Sequence, residues 1–147
     1  MKKIRVMIID EHPAVCRALT LRLEAVPSVD VIGSVCDFDQ GLACSRALCP
    51  DVILVEIKGK SDDVARSLRA INRLVAQRQA GIIVLTSYLD EAERDGALKA
   101  GAVRYLLKDI DTERLVSEIE AVASEPPTIP PAASANNDSH TSRCADR

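Results

Sequence analysis

The sequence predicts a doubly wound α/β sandwich: one parallel sheet covered on both faces by helices. Three observations lead there. Short runs rich in aliphatic and β-branched residues alternate with longer stretches of helical periodicity, five of each in succession. The short runs carry apolar residues at consecutive positions, which fits strands buried on both faces. The 147-residue length suits one core able to bury most of its apolar surface without disulfides or metals.

The elements follow in order. IRVMIID (4–10) reads as the first strand, and PAVCRALTLRLEAV (13–26) as the first helix. Pro13 suits the first helical position, where its missing N–H would have no intrahelical partner. VDVIGSV (29–35) is the second strand and FDQGLACSRALC (38–49) the second helix. DVILVE (51–56) runs four apolar residues into a carboxylate, and SDDVARSLRAINRLVAQRQ (61–79) is helical. GIIVLTS (81–87) is the fourth strand and DEAERDGALKAG (90–101) the fourth helix, with Gly101 placed to end it. AVRYLLK (102–108) and DTERLVSEIEAVAS (111–124) complete the series, with Asp111 as the cap and Leu115, Val116, Ile119 and Val122 as the core stripe of the last helix.

Two regions are therefore expected: a folded domain over 1–124 and a tail over 125–147. The tail, EPPTIPPAASANNDSHTSRCADR, is rich in Pro, Ser, Ala and Asn. It has too few large apolar residues to offset the entropy of ordering, so it is expected to be disordered.

Composition excludes several function classes. A net charge of −3 and a pI near 5.4 argue against direct DNA binding, which calls for a basic surface. There is no apolar run long enough to span a membrane, and MKKIRVMIID enters a strand pattern without a signal-peptide core, so a cytoplasmic protein is expected. The five cysteines lack CxxC spacing and read as buried reduced thiols; redox sensing or a metal site through Cys44 and Cys49 is the sharper alternative.

Open parallel sheets bind ligands at the carboxyl ends of their strands. Here those ends carry Asp10 and Glu11, Glu56, Thr86 and Ser87, and Lys108. Three carboxylates, hydroxyls and an ammonium on one rim suit a hard divalent cation and a phosphoryl group.

With DEHP at 10–13, PDVILVE at 50–56, IIVLTSY at 82–88 and KAGAVRYLLKD at 99–109, residues 4 to 124 resemble the receiver domain of two-component response regulators, nearest to the nitrate-response (NarL/FixJ) type. The resemblance implies a flavodoxin-like, CheY-like (βα)5 fold with sheet order 2-1-3-4-5. It also implies roles: Asp10, Glu11 and Glu56 around a weakly bound Mg²⁺, Thr86 and Lys108 in the phosphoryl pocket, and Tyr105 as the switch aromatic. Glu56 stands where the family has its phosphoacceptor aspartate. Its extra methylene displaces the carboxylate by about 1.5 Å, and a misplacement of about 1 Å costs on the order of 10²-fold in rate.

Glu56 is accordingly expected to act as a partial phospho-mimic, drawing Thr86 to the rim and turning Tyr105 inward. Lys58 and Lys60 replace the residues that usually follow the acceptor and are expected to bring positive charge to the acidic rim. EPPTIPPA begins like the linker to a helix-turn-helix domain, but the chain then ends. The expected output is thus protein contact, with no catalytic residues, by a stand-alone receiver whose partner is a histidine kinase or another response regulator, as homo- or heterodimer. The alternative is a working phosphoryl acceptor that uses Mg²⁺ and a rim carboxylate. A Mg²⁺-dependent phosphatase is more distant, because the aspartate nucleophile is missing.

Overall fold

A computed structural model describes residues 2–57, 61–77 and 80–125, with the side chains of 61–63 excepted. Ten elements alternate along it: β1 (Ile4–Ile9), α1 (Pro13–Glu24), β2 (Val29–Val35), α2 (Phe38–Leu48), β3 (Val52–Glu56), α3 (Ser61–Ala76), β4 (Gly81–Thr86), α4 (Glu91–Ala100), β5 (Arg104–Leu107) and α5 (Thr112–Ser124). The strands form one sheet in the order β2-β1-β3-β4-β5, all pairs parallel, as expected for the doubly wound fold. Glu125, assigned to the tail by composition, caps α5, and its carboxylate pairs with Arg104 at 2.7 Å. The rest of the expected tail, 126–147, and Lys58 and Lys60 lie outside the described residues.

Side chains alternate across each strand, so the sheet has two cores. Val6, Ile8, Val52, Leu54, Ile83 and Leu85 face α1 and α5, where they meet Leu19, Leu23, Leu115, Val116, Ile119 and Val122. Met7, Ile9, Ile53, Val55, Ile82 and Val84 face the other side, against Ile71, Leu74, Val75 and Ala97 of α3 and α4. Complete burial of such a side chain contributes about 1.5–3 kcal/mol, and the three inner strands place nearly every residue in one core or the other.

Local chemistry sets the element ends. Asp37, Asp90 and Asp111 cap α2, α4 and α5 by accepting from the N–H groups of Gln40, Glu93 and Arg114. Gly101 ends α4 with φ +115, and a Cβ there would run into Val75. Cys49 ends α2 in the left-handed region at φ 52, a conformation usually left to glycine. The expectation of buried reduced thiols holds for Cys16, which is buried and free, but Cys44 is half-buried, Cys36 is exposed and Cys49 is disulfide-bonded.

Candidate functional site

The carboxyl ends of β1, β3 and β5 bring Asp10, Glu56 and Lys108 together. Asp10 follows β1 immediately and is 4% exposed; its backbone N–H continues the ladder to Val35 at 3.1 Å. Glu56 is the last residue of β3, the neighbour of β1 in the sheet, so its side chain leaves the strand beside that of Asp10. Lys108 follows β5, two strands away; its N–H donates to the Thr86 carbonyl at 2.8 Å, and its ammonium reaches back over the rim. That ammonium lies 3.1 Å from Asp10 Oδ2 and is paired with Glu56 Oε1.

His12 completes the group from the opposite side. Its Nδ1 lies 3.2 Å from both Asp10 Oδ1 and Glu56 Oε2. The ring is held there by the turn that starts α1, in which the His12 N–H donates to Asp10 Oδ1 at 2.9 Å. Each of the four carboxylate oxygens thus has a partner, Lys108 on one side and His12 on the other.

These contacts divide the two carboxyls. Burial pushes Asp10 up, but the hydrogen bond shared with Glu56, the His12 N–H and the Lys108 charge outweigh it and hold Asp10 below its ordinary value. Glu56 is raised by burial and by the hydrogen bond with Asp10, which Lys108 only partly offsets. The two carboxyls titrate as a coupled pair. His12 is raised by its hydrogen bond to Glu56 and then by that to Asp10.

Among the described residues, Asp10, His12 and Glu56 bring ligand atoms within 4.8 Å of one another. The carboxylate oxygens suit a hard divalent cation such as Mg²⁺. A cation would take those oxygens in competition with Lys108 and His12, which fits weak binding. Glu11, expected in this set, is outside it: its exposed side chain borders a cleft lined by Asp37, Asp39, Arg66 and Arg69. The group contains no cysteine, and Cys44 and Cys49 are not part of it.

The end of β4 holds a second arrangement. Thr86 is 3% exposed, but its hydroxyl is not drawn to the carboxylates as expected. It donates to the Tyr88 carbonyl at 2.9 Å, a local turn contact that a hydroxyl two residues upstream makes at little entropic cost. Tyr105 packs against the α3–α4 core, and its hydroxyl lies 3.2 Å from the Tyr88 carbonyl and 2.9 Å from Glu93 Oε2. The same hydroxyl accepts from the Asp90 N–H at 3.3 Å. Burial, then the bond to Glu93, raise the Tyr105 phenol. Glu93 is itself raised by burial, and its Oε1 is buried with no hydrogen-bond partner.

Glu93 is not among the residues to which the sequence points, and His12, a helix-start and rim position, gains here its contacts with both carboxylates. For His12 the available signal is its place two residues after Asp10, where an aspartate turn folds the next side chains back on it. For Glu93 there is only its position in the first turn of α4, seven residues beyond Thr86.

Comparison with known proteins finds a family for the chain. Residues 6–120 match the response regulator receiver domain. The chain is 34% identical over 126 residues to the transcriptional regulatory protein LiaR of Bacillus subtilis, covering 86% of this chain and 59% of that protein. It is 29% identical over 120 residues to the nitrate/nitrite response regulator NarL of Escherichia coli, covering 81% of this chain and 54% of that one. The chain thus spans little more than half the length of these relatives. Among solved structures, the signal receiver domain of the response regulator NarL from Mycobacterium tuberculosis superposes with a TM-score of 0.72 at 26% identity, over 84% of this chain and 98% of that one. The response regulator domain of Thermotoga maritima CheB superposes with a TM-score of 0.75 at 22% identity, over 86% of this chain and all of that one, a likeness of fold.

Proposed function

The chain belongs to the response regulator receiver domain family, and on that premise we propose that it works in two-component signalling through protein contact without requiring phosphorylation, Glu56 serving as a partial mimic of a phosphorylated aspartate. One observation carries the reading: the Glu56 carboxylate is paired directly with the Lys108 ammonium. In the family pattern set out above, that lysine grips a phosphoryl oxygen. Here a carboxylate of the chain itself holds it.

The mimicry is partial on two counts. A carboxylate offers one negative charge and two acceptors, against nearly two charges and three acceptors for a phosphoryl group. Thr86 also keeps its hydroxyl on Tyr88 and away from Glu56. The receiver is a binding module without a reaction of its own, and its partner in the cytoplasm is a histidine kinase or another response regulator. The acidic pI supports protein partners over DNA for this domain. Asp10 and Glu56 would hold a Mg²⁺ weakly, and the ion would supply neutralising charge.

Incubation with acetyl phosphate and Mg²⁺ followed by intact mass tests the reading. The protein should gain no stable phosphoryl group, whereas Glu56→Asp should gain one. A stoichiometric gain in the parent chain would overturn the proposal in favour of a working phosphoryl acceptor.

A further inference from the structure

The α2–α3 groove, away from the rim carboxylates, has its own charge pattern. Arg66, Arg69 and Arg73 recur at three- and four-residue spacing along one exposed stripe of α3, and Arg46 adds a fourth guanidinium from the last turn of α2. Two hollows of about 350 and 490 Å³ lie along these helices and share Asp39, Leu42 and Arg73 in their walls. From Val64 to Gln77 the sequence contains no acidic residue. Among the described residues, none of these four arginine side chains forms an ion pair or a hydrogen bond. Arg22 and Arg104, by contrast, are tied to Ile110 and Thr112 and to Glu118 and Glu125.

A second observation lies in the wall of the larger hollow. Gln77 is 9% exposed and donates from Nε2 to the Leu42 carbonyl at 3.2 Å, while its Oε1 is buried with no donor. An unused buried acceptor is costly, and a peptide N–H satisfies it without adding charge where the groove wall opens on binding. The acidic residues of the groove, Glu11, Asp37 and Asp39, line the smaller hollow, and Asp37 is already engaged with the Gln40 N–H as the cap of α2. The larger hollow has Arg46 and Arg73 against Asp39 alone, with Leu42, Ala43 and Ala76 as apolar wall.

We infer that the α2–α3 groove docks an acidic peptide segment of a partner protein. The carboxylates of that segment meet Arg46, Arg69 and Arg73, its backbone approaches Gln77, and an apolar side chain covers Leu42. Arginine suits this task because its planar fork engages a carboxylate through two parallel bonds. In a chain of net charge −3, so concentrated a set of unpaired cations selects against other acidic surfaces less than the rest of the molecule does. The inference rests on fold and charge, whatever Glu56 does at the rim.

The test is fluorescence anisotropy with a short fluorescein-labelled peptide of alternating glutamate and leucine, titrated with the full chain. Saturable binding that weakens with salt is expected, with amide shift changes in NMR confined to α2 and α3. The Arg69→Glu/Arg73→Glu variant should lose at least about tenfold in affinity. Should that variant fold poorly, Arg46→Glu on the opposite wall must produce a loss in the same direction. Absent binding, undiminished affinity in the folded variants, shifts centred on α4 and α5, or equally tight binding of a single-stranded oligonucleotide would each overturn the inference.

Discussion

The rim and the end of β4 are a few residues apart on the same edge of the sheet, yet they are built on different principles. At the rim, two buried carboxylates, an ammonium and an imidazole come from β1, β3, β5 and the start of α1 and satisfy one another. At the end of β4, Thr86 and Tyr105 are held by groups of the following turn and of α4. The described residues show no side-chain hydrogen bond from one group to the other; their link is the backbone bond from Lys108 to Thr86. The β3–β4 ladder adds a second backbone path, pairing Glu56 with Leu85 beside Thr86. The side chains of the two clusters are separately stabilised, and any influence of the rim charge on the switch runs through backbone.

The largest effect is expected from removing the cation that closes the rim. Lys108→Met leaves two carboxyls buried side by side and should cost about 3 kcal/mol, read from urea denaturation, with Tyr105 undisturbed in NMR. A loss below about 1 kcal/mol would mean that His12 alone compensates the pair.

A weaker effect is expected from pH. Between its ordinary value of 4.5 and its raised folded value, Glu56 binds a proton in the folded chain that the unfolded chain has released. The stability from that proton is complete below 4.5 and is lost as pH rises through the folded value. His12 acts in the same sense, its contribution complete below 6.5 and lost as pH climbs past its own raised value. Asp10 opposes them: its lowered value gives stability above 3.8 that disappears in stronger acid. Thermal melts should therefore fall from mildly acidic to neutral pH, and Glu56→Gln should flatten the lower part of that fall. An unchanged slope would remove Glu56 from the titration.

Smaller again is the effect of Glu93→Gln, which keeps a hydrogen-bond acceptor for Tyr105 but removes the charge. A cost of about 1 kcal/mol or less is expected, with the Tyr105 phenol titrating lower in an alkaline absorbance titration. The smallest effect bears on whether the two clusters are coupled. In a double-mutant cycle of Glu56→Gln with Thr86→Ala, the coupling should stay under about 0.5 kcal/mol. A larger coupling would show that the two clusters communicate despite their separate contacts.

Much of the fold is legible in the residues. All ten elements occur in the order and nearly at the limits that periodicity assigns, because turn residues separate them and α1, α2, α4 and α5 are each bounded by an aspartate, proline or glycine with a defined job. The chief misses at the ends arise where a strand was credited with its first polar neighbour, as at Asp10, Ser87 and Lys108. The candidate site is legible at Asp10, Glu56 and Lys108, which follow from strand ends and sheet order. Glu11 was misplaced because adjacent residues leave a strand end on different sides, and the sequence does not say which one turns inward. Glu93, and the two carboxylate contacts of His12, are not legible for the complementary reason: they come from how a helix start is seated on the sheet, a tertiary fact that no spacing records. Thr86 was assigned to the rim on chemistry alone, and the local turn won because its partner is two residues away.

The alternation of side chains across the inner strands makes the sheet a partition. Val6 and Ile8 look into one compartment, Met7 and Ile9 into the other, and the same holds along β3 and β4. A change of volume beneath α3 meets Ile71, Leu74 and their neighbours first and reaches Leu19 or Leu115 only by displacing the backbone ladder between the compartments. The two halves of the domain can therefore diverge at different speeds. A lineage can remodel the α2–α3–α4 side for a new partner while the α1–α5 side, and with it the packing that holds β1 and β3 in register beneath Asp10 and Glu56, stays as it is.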